Sequence, residues 1–262
     1  MADGTQTRAW RPPVPGVREV LHAHMTTHAY PLHAHADWAL MLVDEGAVTY
    51  DLGSRSHIAD GSAATLLPPG VAHDGRAAAG STGFRKRVAY LHASWVPEAL
   101  VGAFVDRPTR ADLVVRARRA HEALATPGEE LAAEHSLIEI ADAVIARDSG
   151  AVGAPRDNRL ARDLRDLFEA HLPEHVSLAE AGRALQAHPA HLSRTFAAAF
   201  GLPPHRYVTG RRVDLARQLL ISGHRPARAA VDAGFHDQAH LTRHFRKLLG
   251  TTPARFRQSL ER

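Results

Sequence analysis

Two groups of residues have types and spacings able to do chemistry. The first is a set of histidines. In YPLHAHADW, His33 and His35 stand two apart on an extended run, so both project from one face of a strand. Gly61 and Pro68-Pro69-Gly70 bracket a turn that returns His73 toward them. Three neutral imidazoles gathered in this way could hold a divalent metal such as zinc, with Asp37, His24 or His92 completing the shell. They could equally hydrogen-bond an organic ligand or line a polar pocket. Trp38, Tyr50, Tyr90 and His92 would wall that pocket, although an aromatic residue in a small β domain serves as plain core just as well.

The second group is a repeat. HLSRTF, beginning at His191, returns 49 residues later as HLTRHF, beginning at His240. The match continues through Gly201 and Gly250, Pro204 and Pro253, Arg206 and Arg255, and Tyr207 and Phe256. In each copy a Leu and a Phe lie four apart on one helical face, which leaves His, Ser or Thr, and Arg on faces the core does not need. Each helix then runs into a Gly suited to a left-handed cap, with Pro shortly after. A shorter helix precedes each copy, SLAEAGRAL and PARAAVDAG, and Ser177 with Glu180 forms a capping box for the first. Helix, tight turn and polar second helix is the grammar of a helix-turn-helix entering a DNA major groove. Duplication would let one chain read two successive groove segments about 34 Å apart, held by the long helix PHRYVTGRRVDLARQLLISG between the units.

The elements that must position these residues fall into four stretches. Residues 1–96 read as short β-type runs separated by Gly and Pro turns, which suits a small barrel or sandwich. From Pro97 to 147 the apolar residues recur at helical intervals with a TPG break, the pattern of two packed helices. Residues 148–157 are small, contain Gly and end near Pro, as a linker would. Residues 158–262 read as helical throughout. The fold class is therefore a multidomain α+β chain: a β-barrel, a helical bridge, and an all-α domain with two helix-turn-helix units on a long helix.

Charge divides along the same line. Residues 156–262 carry 18 Arg plus Lys against 10 Asp plus Glu, a net +8, while the remainder carries 14 against 18, a net −4. A basic C-terminal part has the polarity of a polyanion-binding surface. There is no cysteine, which excludes disulfides and thiolate metal sites and permits a reducing compartment. The N-terminus lacks a basic-then-apolar signal, and no apolar run has transmembrane length, so a cytoplasmic protein with no membrane partner is expected. No Ser-His-Asp set, paired carboxylates or phosphate loop stands out, and an enzyme is not expected.

AGFHDQAHLTRHFRKLLGTTPARFR, with residues 158–260 in register around it, resembles the AraC/XylS family of transcription regulators. The first unit departs from that family, which usually has a turn glycine near Leu185-Gln186 where this chain has none. The histidine pattern is similar to the two cupin motifs, except that the usual glutamate is replaced at Ala39 and Leu40. The resemblance implies a cupin-like effector-binding barrel at the N-terminus and base contacts from Ala190, Ser193 and Arg194 on the first recognition helix. On the second helix it implies Gln238, His240, Thr242 and Arg243, with Arg211, Arg212, Arg246 and Lys247 as phosphate contacts. It also implies a homodimer through residues 97–147, with those helices relaying the effector signal. Double-stranded DNA, a small-molecule effector and the transcription machinery would be the partners, with no cofactor required. The alternatives are a metal-dependent cupin enzyme or a metal sensor fused to a DNA-binding domain, both resting on His33, His35 and His73.

Overall fold

Alternating burial along the first ninety residues resolves into antiparallel strands. The computed structural model describes residues 6–26, 28–148, 159–174 and 176–260. Its strands are β1 (Gln6–Trp10), β2 (Val17–Met25), β3 (Tyr30–His33), β4 (Trp38–Gly46), β5 (Val48–Leu52), β6 (Arg55–Ala59), β7 (Ala64–Leu67), β8 (His73–Ala77), β9 (Phe84–Leu91) and β10 (Thr109–Arg110). One sheet runs β1-β2-β9-β4-β7-β10 and the other β3-β8-β5-β6.

Strand β4 shows how the two faces of the larger sheet divide. Trp38, Leu40 and Leu42 join one apolar cluster, while Ala39, Met41 and Val43 join another. Successive side chains on a strand point to opposite faces, so β4 is buried on both. The outer face is covered by α1 (Val101–Asp106), α2 (Val114–Ala125) and α3 (Glu130–Asp148), whose Phe104, Ala117, Leu124, Leu137, Ile140 and Val144 share one apolar cluster with Trp38. The bridge is not purely helical as its periodicity suggested. Strand β10 lies between α1 and α2 and pairs with β7, a two-residue segment too short to carry a period of its own. The linker expected over 148–157 falls, from residue 149 on, outside the described residues.

The C-terminal helices are α4 (Arg159–Ala170), α5 (Leu178–Ala184), α6 (Pro189–Phe200), α7 (Pro204–Ile221), α8 (Pro226–Asp232), α9 (Gln238–Leu249) and α10 (Pro253–Leu260). They form as the repeat requires. Leu192 and Phe196 of α6, and Leu241 and Phe245 of α9, are fully buried. Gly201 and Gly250 cap the two helices in the left-handed region, with φ of 75° and 70°. The capping box is made at the start of α5, where Ser177 Oγ accepts from Glu180 N at 3.2 Å and Glu180 Oε2 accepts from Ser177 N at 2.8 Å.

The smaller sheet and the inner face of the larger one do not close on themselves alone. Met25, Tyr30, Met41, Val48 and Phe84 of the barrel share one apolar cluster with Val213, Ala216 and Leu220 of α7 and Leu241, Phe245 and Phe256 of the second unit. The first unit reaches the barrel separately, through Ala34 and Ala72 packed in the cluster of Phe196 and Tyr207.

Candidate ligand pocket and nucleic-acid interface

The spacing of the histidines brings them together as expected. His33, on β3, and His73, on β8, face each other with ring centroids 4.4 Å apart; His35 lies 4.8 Å from His73 and 6.3 Å from His33. All three line a cavity of about 50 Å³, with Tyr30, Tyr50, Lys86 and Tyr90. Each imidazole Nδ1–H donates to a backbone carbonyl: His33 to Pro31 at 2.8 Å, His35 to Asp37 at 2.6 Å and His73 to Val71 at 3.0 Å. Burial holds all three rings below the usual histidine range, His35 down to about 3, so they are neutral. A neutral ring whose Nδ1 carries the proton keeps its lone pair on Nε2.

Two residues expected in the pocket lie elsewhere. Trp38 points to the outer face, where its ring stands 5.3 Å from Phe104 and its Nε1–H donates to Ala93 O at 3.2 Å. His92 is exposed and caps a short 3₁₀ turn, its Nδ1 accepting from Ser94 N. The parity of β4 decides the first case and the end of β9 the second. Among the described residues no group of three or more His, Cys, Asp or Glu is placed to hold a metal ion. The candidate completing groups are engaged or distant: Asp37 faces Arg18 at 3.8 Å, and His24 sits on β2 opposite Arg85.

The wall that the sequence did not foretell comes from the other half of the chain. Gly210, Val213, Asp214 and Arg217 of α7 line the cavity opposite the sheet. Arg217 Nε lies 2.9 Å from Glu19 Oε2 of β2, its guanidinium sits 4.4 Å over the Tyr90 ring, and Asp214 Oδ1 is 3.7 Å from its Nη2. Burial pushes the Glu19 carboxyl up to about 7, with Arg217 opposing the rise. Burial likewise pushes Lys86 down to about 7, with Arg217 adding to the fall. A polar pair three apart on an otherwise apolar helix face was the available sign, in VDLARQLL.

The recognition helices present most of the residues assigned to them. Ala190 and Arg194 on α6, and Gln238 and Arg243 on α9, are exposed, while Ser193, His240 and Thr242 are half-buried. Thr242 Oγ1 donates back to Gln238 O at 2.7 Å, and the His240 ring packs 5.3 Å from Phe235. Gln238, Thr242, Arg243, Arg246 and Lys247 line one open groove. Arg246 and Lys247 are exposed, whereas Arg211 and Arg212 are half-buried and bonded within the protein. Arg211 Nε donates to Glu169 Oε1 at 2.7 Å and its Nη1 to Asp214 at 3.1 Å, while Arg212 Nη2 donates to Pro173 O and Glu174 O. Both stand on the central helix α7, where Arg211 is spent on two carboxylates and Arg212 on backbone carbonyls that follow α4.

A family model described as an AraC-like ligand binding domain matches residues 15–188, and one described as a helix-turn-helix domain matches residues 181–259. The chain belongs to the AraC family of transcription regulators. It is similar to the probable transcriptional regulator LumQ of Photobacterium leiognathi, 32% identical over 90 residues, which cover 34% of this chain and 36% of LumQ. It is also similar to the regulator ExsA of Pseudomonas aeruginosa, 28% identical over 102 residues, covering 38% of this chain and 37% of ExsA. The chain thus spans just over a third of the length of these curated relatives. The fold extends over nearly the whole chain in the structure of ToxT from Vibrio cholerae with an unsaturated fatty acid bound, at TM-score 0.61 and 11% identity, covering 98% of this chain and 95% of that one.

Within the AraC frame, the missing turn glycine has a structural answer. Gln186 takes the left-handed conformation itself, with φ of 50°, where the second unit uses Gly234 at φ 81°. No described helix is long and apolar enough to cross a membrane.

Proposed function

We propose that this protein is a cytoplasmic, sequence-specific regulator that binds double-stranded DNA through α6 and α9 and changes that binding when a small-molecule effector enters the barrel. The observation that carries the reading is the fourth wall of the cavity. An effector there touches α7, the helix that joins the two reading units, without any relay through α2 and α3. Coupling requires only that the ligand bind two arrangements of α7 with different affinity. ToxT, with its bound fatty acid, is a protein of this fold that accepts an organic ligand. The relatives compared are transcription regulators, and we read the pocket as sensing rather than catalytic.

The helices α2 and α3 then serve a homodimer. Val115, Leu131 and Ile138 are 59%, 79% and 52% exposed, and Leu131 and Ile138 stand seven apart on α3, one heptad. A dimer would place four reading helices on DNA, next to the transcription machinery that is the final partner.

The test is capture of genomic fragments by the full chain, followed by footprinting of the enriched fragments. Protection of paired segments one helical turn apart is expected. Fragments no better bound than random DNA would overturn the reading. Native mass spectrometry of Leu131→Glu/Ile138→Glu should show monomer where the parent is dimer.

A further inference from the structure

We propose that the effector is a short hydroxy acid, whose carboxylate meets Lys86 and the Tyr30 hydroxyl while its single hydroxyl proton is donated to one imidazole Nε2 of the cluster formed by His33, His35 and His73. This assignment rests on the reading of the cavity as the effector site. It follows from what each wall leaves unsatisfied.

The histidine wall offers acceptors. With every Nδ1–H spent on a carbonyl, the Nε2 lone pairs are what these rings present to a ligand. A hydrocarbon placed against them would leave every one of these acceptors unpaired, a cost that a ligand O–H lowers at the ring it reaches. The opposite wall offers a cation without a carboxylate. Lys86 Nζ lies 4.0 Å from the centre of the Tyr30 ring and 5.9 Å from that of Phe84, and among the described residues it makes no ion pair.

The other charges around the cavity are committed. Arg217 faces Glu19 and Asp214, Asp214 also faces Arg211, and Asp74 accepts from Asp51 N at 2.7 Å and faces Arg76 at 3.6 Å. Tyr30 supplies a second unmet group, a buried hydroxyl with no hydrogen-bond partner. A carboxylate would satisfy Lys86 and Tyr30 together. It would also hold Lys86 in its charged form against the burial that now lowers its affinity for a proton.

Volume sets the size. The cavity of about 50 Å³ is well below the roughly 150 Å³ that accommodates benzene in a protein core. A two-carbon acid matches this closed arrangement, and longer acids would have to push α7 outward.

The experiment is calorimetric titration of the full chain at constant ionic strength with glycolate, acetate and ethylene glycol. These carry the acid and the hydroxyl, the acid alone, and hydroxyls alone. Glycolate should bind at least tenfold tighter than acetate, and ethylene glycol should give no heat. Lys86→Gln should weaken glycolate tenfold or more, and Tyr30→Phe provides a second, milder variant expected to weaken it several-fold. Equal binding of ethylene glycol and glycolate would overturn the assignment. So would no binding by any of the three, or glycolate affinity unchanged in both variants. Footprinting of the same samples separates this from the regulatory reading. Selective DNA binding without acid binding sinks only the ligand class; acid binding that leaves the footprint and its affinity unchanged sinks only the regulation.

Discussion

Arg217 and Glu19 meet 2.9 Å apart across the boundary between the DNA-reading half and the barrel, with side chains 5% and 1% exposed. Neither carboxylate oxygen of Glu19 has a hydrogen bond in addition to this ionic contact. Removing one partner from such a pair leaves the other charge buried and uncompensated, at a cost of about 3–5 kcal/mol. Arg217→Met should therefore lower the unfolding free energy by that amount in denaturant titrations at pH 8, where Glu19 of the parent is ionised. Adding Glu19→Gln to it should restore most of the loss. A double variant no more stable than the single one would show that the pair is not what stabilises the contact.

The same carboxyl makes stability depend on pH. Glu19 titrates near 7 in the fold against 4.5 unfolded, so between those values the folded chain holds a proton that the unfolded chain has lost. Its contribution to stability is thus complete below pH 4.5, falls as pH rises to about 7, and stays at its lowest above that. The buried histidines titrate in the opposite sense, but they do so in parent and variant alike. Thermal unfolding of Glu19→Gln relative to the parent should accordingly improve between pH 5 and pH 8. A difference that is flat or reversed would contradict the raised pKa.

Arginines on the exposed and buried faces of the DNA-reading half should behave differently. Arg194→Ala or Arg243→Ala is expected to cost about 1–3 kcal/mol and relax preference at one base pair, whereas Arg246→Ala should weaken all sequences alike and lower the salt slope by about 1. Arg211→Ala should leave the salt slope unchanged and lower the melting temperature, because it strands Glu169 and Asp214. Mobility shifts over a salt series, paired with thermal unfolding, check all four. A fall in salt slope for Arg211→Ala would return that residue to the phosphate backbone.

The two turns predict opposite responses to glycine. Gln186 adopts φ of 50°, a conformation that costs an L-residue about 1–2 kcal/mol, so Gln186→Gly should stabilise the chain by about 0.5–1 kcal/mol after the added chain entropy. At Gly234 a Cβ would stand 2.1 Å from Pro173 O, and Gly234→Ala should cost about 2–5 kcal/mol. Equilibrium unfolding of both variants reads the contrast directly, and destabilisation by Gln186→Gly would count against strain at that turn.

Local pattern carried much of this architecture. The repeat, its glycine caps, the capping box and the gathering of His33, His35 and His73 all depend on residues near one another in sequence or on strand alternation. What escaped depended on partners distant in the chain. A strand buried on both faces has no hydrophobic alternation, so nothing local told Trp38 from Ala39 and Met41. Arg211 and Arg246 are equally basic on equally helical text, and what separates them is the Glu169 carboxylate, 42 residues away, that the fold brings to Arg211. The place of Lys86 is hidden for the same reason: its strand reads as a charged edge, RKR, until β4 and β2 pair on either side of it.

The apolar cluster that begins at Met25 and Tyr30 and ends at Phe245 and Phe256 has a consequence for how such a chain can change. A sensor and a reader joined only by a tether could be exchanged between relatives like cassettes. Here Val213, Ala216 and Leu220 complete the interior of the barrel, so a grafted sensor must arrive with a helix that fits it. Ligand preference and operator preference are thus inherited together, and the surface across which they are exchanged is itself part of the core.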